Sequence, residues 1–493
     1  MNTQRLLFIS LLFILLASCR KEDEIFDGSS AQLNFSTDSI TFDTVFTTIG
    51  TSTKYFMVHN PYSETVKISS IRLTGGQQSN FRINVDGRSG NSHQDVEIPP
   101  KDSIWVLVEA AVDPNNLQNP FVIEDYVEFI TNSNRQTVKL VAWGQNAIYY
   151  TPTTFSNNLP DYTCLTGPCG DDIPPVNVQW TDSLPIVIYG YVVVDSLDEL
   201  TIQAGTKVHF HNSAGLWVYS GGKLTVNGTK EEPVIFQGDR LELPYSERPG
   251  QWDRIWINEG AQNSINYAII KNAFIGIQAE VSPFTNPPYD PNTPRYLEIK
   301  NTIIDNSASV GLLSSIFTID AENLLITNSG QHNVVLRSAG DYNFTHCTFA
   351  NYFDAAKRET PSFFVLNSFV TANATQVIGV PEVQLYNSIV DGDLDNEFDT
   401  EVINNGSITF DVQNTLLKTT YNTSNNSEFQ NIIKNPSSEI FNDPSNGDFE
   451  LFEQSVARNG GNINFANQVP LDLNGESRTT DGQPDLGVFE WVE

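Results

Sequence analysis

The feature that most constrains the fold is an eight-residue unit that returns seven times between residues 265 and 419. Its copies are INYAIIKN (265–272), IKNTIIDN (299–306), AENLLITN (321–328), FTHCTFAN (344–351), VLNSFVTA (365–372), LYNSIVDG (385–392) and VQNTLLKT (412–419). Their third positions hold Tyr267, Asn301, Asn323, His346, Asn367, Asn387 and Asn414. Four of the six steps between these positions are 20–23 residues long, so the repeat has a nearly constant period.

This period fits one coil of a right-handed parallel β-helix. It is too short for a propeller blade, and the leucine slots of a leucine-rich repeat are missing. Asparagine tolerates left-handed backbone angles at a tight bend, and stacked asparagine amides can hydrogen-bond from one coil to the next. The sequence therefore predicts a structural asparagine ladder at Asn301, Asn323, Asn367, Asn387 and Asn414. Such a ladder gives a use to the 49 asparagines of a chain with only 27 lysines and arginines.

Residues 31–150 show a different pattern of short alternating strands between turn signals, which predicts a β-sandwich. The run FDTVFTTIGTSTKYFMVHNPYSETVKISSIRL, the later IPPKDSIWVLVEA and the closing VKLVAWGQ resemble immunoglobulin-like domains of the abnormal-spindle/hydin type. That resemblance implies a spacer or binding module without a fixed catalytic set.

Residues 151–185 are rich in proline, asparagine and aspartate and are predicted to form a linker or cap before a β-helix at 186–493. Cys164 and Cys169 lie in the CLTGPC loop of this segment, where a local disulfide suits an exported protein. The segments GKLTVNGTKEEPVIF and DLNGESRTTDGQPDLGVFEW resemble right-handed β-helix surface proteins with a pectate-lyase-like fold. The second segment implies a cap at the C-terminal end of the β-helix. The predicted fold class is thus all-β, an immunoglobulin-like sandwich followed by a β-helix.

Residues 1–18 have the charge and apolar run of a secretory signal peptide. Their end, Leu16-Ala17-Ser18-Cys19, resembles a bacterial lipobox, which implies cleavage before Cys19 and attachment of palmitate-type acyl chains. Residues 19–30 would form a tether whose Arg-Lys-acidic start resembles the export signal of Bacteroidetes surface lipoproteins. These resemblances imply a lipid anchor in the outer membrane of a Gram-negative bacterium, facing the cell surface. The formal charge of −32 excludes nucleic acid as a partner.

The sequence lacks the motifs of the known β-helix enzymes. It has no Arg-x-Pro-x-x-Arg segment of a pectate lyase and no Asn-Thr-Asp, Asp-Asp and Gly-His-Gly set of a polygalacturonase. This absence favours a non-catalytic module that binds a polysaccharide or another surface protein. A polysaccharide lyase or glycoside hydrolase with a non-standard site is the alternative.

Two groups of residues are candidate ligand sites. In an extended segment, alternate residues share a face, so a row of carboxylates would favour calcium as the only cofactor the sequence suggests. These carboxylates are Asp391, Asp393, Asp395, Glu397 and Asp399. A solvated acidic loop is the other interpretation. The proline-rich insertion 281–296 carries Phe284, Tyr289 and Tyr296, which suit stacking against sugar rings or packing onto the β-helix.

Overall fold

A computed structural model describes residues 24–47, 51–112, 121–156, 159–170, 174–242, 245–287, 289–371, 373–480 and 482–492. The predicted signal peptide, residues 1–18, and the predicted lipidation site Cys19 lie outside these residues. The chain divides into two compact units, residues 1–146 and residues 147–493, and strands dominate both. The predicted all-β fold class is confirmed: a β-sandwich precedes a parallel β-helix. Within the described ranges, no helix is long and apolar enough to cross a bilayer.

The first unit is a sandwich of two five-stranded sheets, ordered β1-β3-β8-β5-β6 and β2-β10-β9-β4-β7. Its strands are β1 (Asn34–Phe35), β2 (Ser39–Phe46), β3 (Lys54–His59), β4 (Val66–Leu73), β5 (Phe81–Val85), β6 (Arg88–Ser89), β7 (Ser92–Ile98), β8 (Ser103–Ala110), β9 (Phe121–Thr131) and β10 (Asn134–Gln145). Alternate residues of these strands are buried, as in β8, because only one face of each sheet meets the core. A single 3₁₀ turn, Gly76–Gln78, follows β4.

The second unit begins its parallel sheet at Ile148, within the first residues of the unit. Its first strands are β11 (Ile148–Tyr150), β12 (Tyr162–Cys164), β13 (Asn177–Trp180), β14 (Ile186–Val194), β15 (Glu199–Gln203), β16 (Lys207–Val218), β17 (Lys223–Asn227), β18 (Val234–Gly238), β19 (Ile255–Ile257), β20 (Gln262–Asn266), β21 (Ala268–Lys271) and β22 (Ile275–Glu280). The segment 151–185 therefore contributes two strands to the sheet, since β12 pairs with β14 and β13 with β15.

The remaining strands complete the β-helix and its C-terminal extension. They are β23 (Tyr296–Asp305), β24 (Val310–Thr327), β25 (His332–Thr345), β26 (Thr348–Asn351), β27 (Phe363–Leu366), β28 (Ser368–Val370), β29 (Gln376–Ile378), β30 (Pro381–Tyr386), β31 (Ile389–Gly392), β32 (Phe398–Glu401), β33 (Thr409–Gln413), β34 (Leu416–Leu417), β35 (Phe429–Gln430), β36 (Ile433–Lys434), β37 (Phe441–Asp443) and β38 (Asp448–Leu451). A 3₁₀ turn, Pro444–Asn446, and a four-residue helix, α1 (Ile463–Ala466), lie in the extension.

Each coil of the β-helix crosses three faces in turn. We call these face A, face B and face C, after their order along a coil. Coil-to-coil pairing defines them: segment 302–305 pairs with 324–327 on face A, 310–315 with 332–337 on face B, and 296–300 with 318–322 on face C. Inward residues from all three faces, such as Ile304, Leu312 and Ile319, form one continuous apolar core.

A one-residue corner joins face C to face A, and the backbone there is left-handed. The corner residues have φ between 47° and 53°, and they are Tyr267, Asn301, Asn323, His346, Asn387, Asn414 and Asn431. Asn301 Nδ2 donates to Asn266 Oδ1 at 2.9 Å, and Asn323 Nδ2 donates to Asn301 Oδ1 at 2.9 Å. The asparagine slot thus combines a backbone requirement with hydrogen bonds between coils.

Asn367 does not belong to this ladder, so its assignment from the sequence is corrected. The segment 363–366 pairs with 334–337 on face B, and Asn367 Nδ2 donates to the Ile403 carbonyl. The true corner step runs from His346 to Asn387, 41 residues, and Asn387 Nδ2 lies 3.0 Å from His346 Nε2. This coil carries an inserted hairpin, β28–β29. The segment VLNSFVTA (365–372) resembles the repeat unit and lies about one period after His346, although it does not contain the corner.

The segment that follows the last coil lies along the side of the β-helix. Leu325, Ile389 and Leu416 point outward on face A, and they pack against Phe441 and Leu486 in a separate apolar cluster. The same segment contacts the asparagine corner at Arg478, Gly487, Asn462 and Gly460, which bond Asn323, His346, Asn387 and Asn414 respectively. We call residues 437–492 the C-terminal arm. The predicted cap at the end of the β-helix is therefore an arm that covers face A and the asparagine corner.

If the asparagine corner determines the fold as described, Asn387→Ala will destabilise the second unit by about 3 kcal/mol. Alanine would be strained at φ 47°, and the backbone N–H and C=O of Asn462 would lose buried partners. Urea unfolding measures the loss. Asn405→Ala is the matched control, since Asn405 has φ 53° but an exposed side chain, and it should cost only about 1 kcal/mol. Equal losses in the two variants would contradict the role of the arm contacts.

Candidate functional site

Face B carries a column of outward side chains that includes two stacked tryptophans. Register places Val193, Trp217, Trp256 and Gln278 side by side on consecutive coils. The Trp217 and Trp256 rings are 4.8 Å apart and nearly parallel, at 13°. Trp217 is only 4 % exposed and Trp256 is half-buried, so the stack is a mostly covered apolar layer on face B. Trp256 faces outward, between the buried Ile255 and Ile257.

A cleft of 290 Å³ opens beside this tryptophan stack. Its lining is mostly aromatic and aliphatic, with one carboxylate, and consists of Leu159, Tyr162, Cys169, Val193, Asp195, Trp217, Tyr219 and Phe284. Trp217 contacts Tyr219 edge-on at 5.4 Å, and Phe284 lies 6.1 Å from it with half of its side chain exposed. The cleft is near the lower limit of the size of small-ligand pockets, which start at about 300 Å³.

The disulfide between Cys164 and Cys169 holds one wall of the cleft. The five-residue separation of the two cysteines closes a tight loop, and Cys164 packs against Tyr191 and Trp217. Tyr162 and Leu159 stand on the same short segment and contribute to the lining. The sequence pattern CLTGPC thus places a covalent constraint next to the aromatic column.

A strip of charged and amide groups runs along face B next to the tryptophans. Its hydrogen bonds and ion pairs join side chains of five coils, and its members are Tyr191, Asp253, Arg254, Gln278, Glu280, Ser315 and Arg337. Glu280 is the centre of the strip: it accepts from Trp256 Nε1 at 3.1 Å, from Gln278 Nε2 at 2.5 Å and from Arg337 Nη2 at 3.2 Å. Trp256 therefore links the aromatic column to the strip.

Burial shifts the pKa values of three members of the strip, and it raises that of the Tyr191 hydroxyl. The Glu280 carboxylate is only 12 % exposed, and desolvation raises its pKa above the ordinary value, although the charges of Arg337 and Arg254 and the hydrogen bonds from Gln278 and Trp256 act against the shift. Desolvation likewise lowers the pKa of the Arg337 guanidinium, with Glu280 opposing it. The surrounding protein partly dehydrates both charged groups. A ligand that hydrogen-bonds to them would therefore displace few water molecules.

Glu259 fixes the loop that brings Phe284 to the cleft. Its carboxylate is buried and accepts from the Ser282 backbone N–H at 2.6 Å and from Thr285 Oγ1 at 3.1 Å. These two bonds flank Phe284 on either side in sequence, so they define where the exposed ring stands. Glu259 belongs to the coil of Trp256, which ties the loop to the column.

The three aromatic residues that the sequence singled out for sugar stacking do not form one group. Phe284 lines the cleft on face B. Tyr289 lies in the field of Glu259 and Glu280, and burial raises its pKa. Tyr296 begins a face C strand and donates to Asp320 at 3.4 Å, so it is separated from the cleft. The three predicted residues therefore do not share one surface, because the insertion 281–296 crosses from face B to face C.

The five carboxylates proposed for calcium are also dispersed. Asp391 ends a face A strand and accepts from Tyr352, Glu397 is buried against Arg358, and Asp399 stands on face B. Asp393 and Asp395 lie on the exposed turn between these two faces. The segment bends at this corner and is not extended, so its alternate residues do not share a face. Across the described ranges, no group of three or more His, Cys, Asp or Glu side chains is placed to hold a metal ion.

The groups that matter most on face B were not identified from the sequence. Arg254, Glu280 and Arg337 each stand alone in the chain, and their proximity comes from coil-to-coil register across separations of 24 and 57 residues. One signal was available: Trp217 and Trp256 each alternate with core residues, in LWV and IWI. A shared outward position in neighbouring coils follows once the coil boundaries are known.

Comparison with protein-family models and with curated proteins gave no match. Among solved structures, the catalytic domain of GH87 α-1,3-glucanase in complex with nigerose is similar at 12 % identity and a TM-score of 0.20, covering 74 % of this chain and 82 % of that chain. A variant of the same domain in complex with tetrasaccharides has 11 % identity and a TM-score of 0.18, covering 83 % of this chain and 92 % of that chain. At these values the similarity supports no inference about the chemistry of this protein.

Loss of the disulfide should loosen the wall of the cleft at a modest cost in stability. For Cys164→Ser with Cys169→Ser, the entropy of closing so short a loop predicts a loss of about 2 kcal/mol. Guanidinium unfolding of the wild type, with and without reductant, measures it. Reductant should lower the midpoint of the wild type but leave the double variant unchanged. A wild type insensitive to reductant would contradict a stabilising role for this bond.

Proposed function

We propose that face B of the second unit binds a saccharide chain in the cleft beside the Trp217–Trp256 stack. The observation that carries the proposal is this aromatic column with exposed Phe284 at its edge and hydrogen-bonding side chains next to it. A sugar ring has an apolar C–H face and a rim of hydroxyl groups, so it requires both kinds of surface side by side.

The charges of the strip favour a neutral saccharide. Arg254 is paired with Asp253 and Arg337 with Glu280, so the positive and negative groups cancel. The whole chain carries a formal charge of −32, which disfavours the approach of a polyanionic polymer. The paired ions have no net charge. Their remaining donor and acceptor atoms can hydrogen-bond to the hydroxyl groups of a neutral sugar.

A glycoside hydrolase or lyase is the second candidate, and one observation favours it. Glu280 has a raised pKa, as a general acid requires, and Asp253 stands on the preceding coil as a second carboxylate. Against catalysis, both Glu280 oxygens already accept hydrogen bonds from Trp256, Gln278 and Arg337. Because three donors already bond this carboxylate, binding without turnover is the first proposal.

Binding is tested with Phe284→Ala in the full chain. Removal of an exposed stacking ring should weaken the association constant for the bound oligosaccharide by about tenfold, which corresponds to the about 1.4 kcal/mol of one aromatic stacking contact. Isothermal titration calorimetry against neutral oligosaccharides measures the change. Phe274→Ala is the matched control, because Phe274 is 47 % exposed and Phe284 53 %, yet Phe274 is outside the cleft. Equal affinity of the two variants would remove the cleft from the proposal.

The same samples distinguish binding from catalysis. Assays for new reducing ends and for unsaturated products should stay at the background level under our first proposal. If products form, Glu280→Gln should abolish them, and the rate should fall as the pH rises through the raised pKa of Glu280, because the acid then loses its proton. Product formation that depends on Glu280 would replace the binding proposal by the hydrolase or lyase.

We also propose that the protein is a lipoprotein of the outer membrane, held by acyl chains on Cys19 and exposed at the cell surface. The support is the sequence pattern Leu16-Ala17-Ser18-Cys19 and the charged residues after it. More than one acyl chain is needed for stable attachment.

Cys19→Ser should move the protein from the membrane to the soluble fraction and stop the incorporation of labelled palmitate in the producing cell. Cys347→Ala is the control for loss of a thiol. Because Cys347 is buried in the β-helix, this variant should stay attached to the membrane. Retention of the Cys19 variant in the membrane fraction would contradict the anchor.

A further inference from the structure

The outer face of the first sandwich sheet is a small mixed platform. Strands β3, β8 and β5 lie side by side, and their register aligns outward residues in three rows. The rows contain Met57 and Trp105, then Tyr55, Leu107 and Asn84, then Thr53, Glu109 and Arg82. The residues between them, such as Phe56, Val106 and Ile83, are buried in the sandwich core. Core packing therefore places no demand on the identity of the outward residues.

Two large aromatic rings are exposed at the centre of this platform. Tyr55 is 59 % exposed and Trp105 is 45 % exposed. Their ring centroids are 4.7 Å apart, and the rings meet edge-on at 63°. Leaving this much aromatic surface in water gives up the stabilisation that burial would provide. The contact between the rings fixes their orientation and presents an angled apolar surface.

A polar cleft of 340 Å³ adjoins the aromatic pair. It is lined by Thr53, Arg82, Ile83, Asn84, Ser89, Gly90, Asn91, Leu107 and Glu109. Leu107 stands opposite Tyr55 in register, so cleft and aromatic pair form one continuous surface. Asn84 Nδ2 donates to Ser89 Oγ at 3.1 Å, whereas Asn84 Oδ1 is buried without a hydrogen-bond partner in the described part of the chain. The Asn84 amide thus contributes a polar group to the wall of the cleft.

The size and charge of the platform define its occupant. Three strands at about 4.8 Å spacing and five residues at about 3.4 Å rise cover roughly 240 Å², far below the about 800 Å² per partner of a stable protein interface. The charges of Arg82 and Glu109 cancel, and the other polar side chains of the lining are hydroxyls and amides. This surface is complementary to a neutral polyol with a flat apolar side, and it is too small for a second copy of the chain.

We propose that the first unit carries its own saccharide-binding site, with Tyr55 and Trp105 as the stacking surface and Asn84, Arg82 and Glu109 as the hydrogen-bonding groups. The ligand class is a neutral oligosaccharide. All of these residues belong to the sandwich, so this site does not depend on the proposed function of face B.

The test uses the full chain with Phe284→Ala as the background, so that the cleft on face B is weakened. Hexaoses of glucan, mannan, xylan and galactan are titrated while tryptophan fluorescence and heat are recorded. At least one of them should still bind, and adding Trp105→Ala should weaken that binding at least tenfold. Asn84→Ala should weaken it less, because one hydrogen bond is lost and the stacking remains.

Trp143→Ala in the same background is the matched control. Trp143 is 36 % exposed on the outer face of the other sheet, and its loss should leave the affinity unchanged. The proposal is overturned if no hexaose binds, if Trp105→Ala and Trp143→Ala bind alike, or if sedimentation shows a dimer that Trp105→Ala dissociates. Binding lost with Trp105→Ala but insensitive to Phe284→Ala supports this site while contradicting the one on face B.

Discussion

The second unit depends on one backbone requirement, a left-handed corner of a single residue between face C and face A. A side chain with a Cβ is strained there, and asparagine is the residue that tolerates the conformation best after glycine. Because the corner is one residue long, inward positions resume directly after it: around Asn301 they are Ile299 before the corner and Thr302 and Ile304 after it. A longer corner would let the register of one face drift against the next, and the columns of outward residues would not align.

The corner also determines which face is available for a ligand. The arm is bonded to corner residues from Asn323 to Asn414, and from there it covers the outward apolar residues of face A. Face A strands are consequently apolar on both sides, as buried parallel strands usually are. On face B the column of Trp217 and Trp256 packs against the disulfide loop and the insertion held by Glu259, which leave Trp217 only 4 % exposed. The candidate site is therefore the cleft lined by these segments, with Phe284 exposed at its edge.

Much of the fold could be predicted because the corner requirement acts on one residue type at a fixed place. The sequence contains a second corner of the same kind that was not predicted. Four of the eight-residue units also end in asparagine, and three of those residues, Asn272, Asn306 and Asn328, form a second left-handed column between faces A and B. Asn306 Nδ2 donates to Asn272 Oδ1 at 2.7 Å. Asn367 was misassigned because an insertion changes the step without changing the local string. Spacing alone carries no information about which face a segment occupies.

The candidate sites were harder to predict, since they are built from positions that the fold leaves free. Inward residues recur as Val, Ile, Leu and Phe because the core selects them, whereas Trp105 and Phe284 satisfy no packing need and have no period. Glu280 shows the same point for charge: its environment is created by Trp256 from the preceding coil and Arg337 from a later one. In a β-helix, a functional group is therefore defined by the column it occupies, and the column is known only when every insertion between coils has been counted. In the sandwich and on face B, large aromatic residues face outward beside hydrogen-bonding groups. The stability of the fold does not require them there.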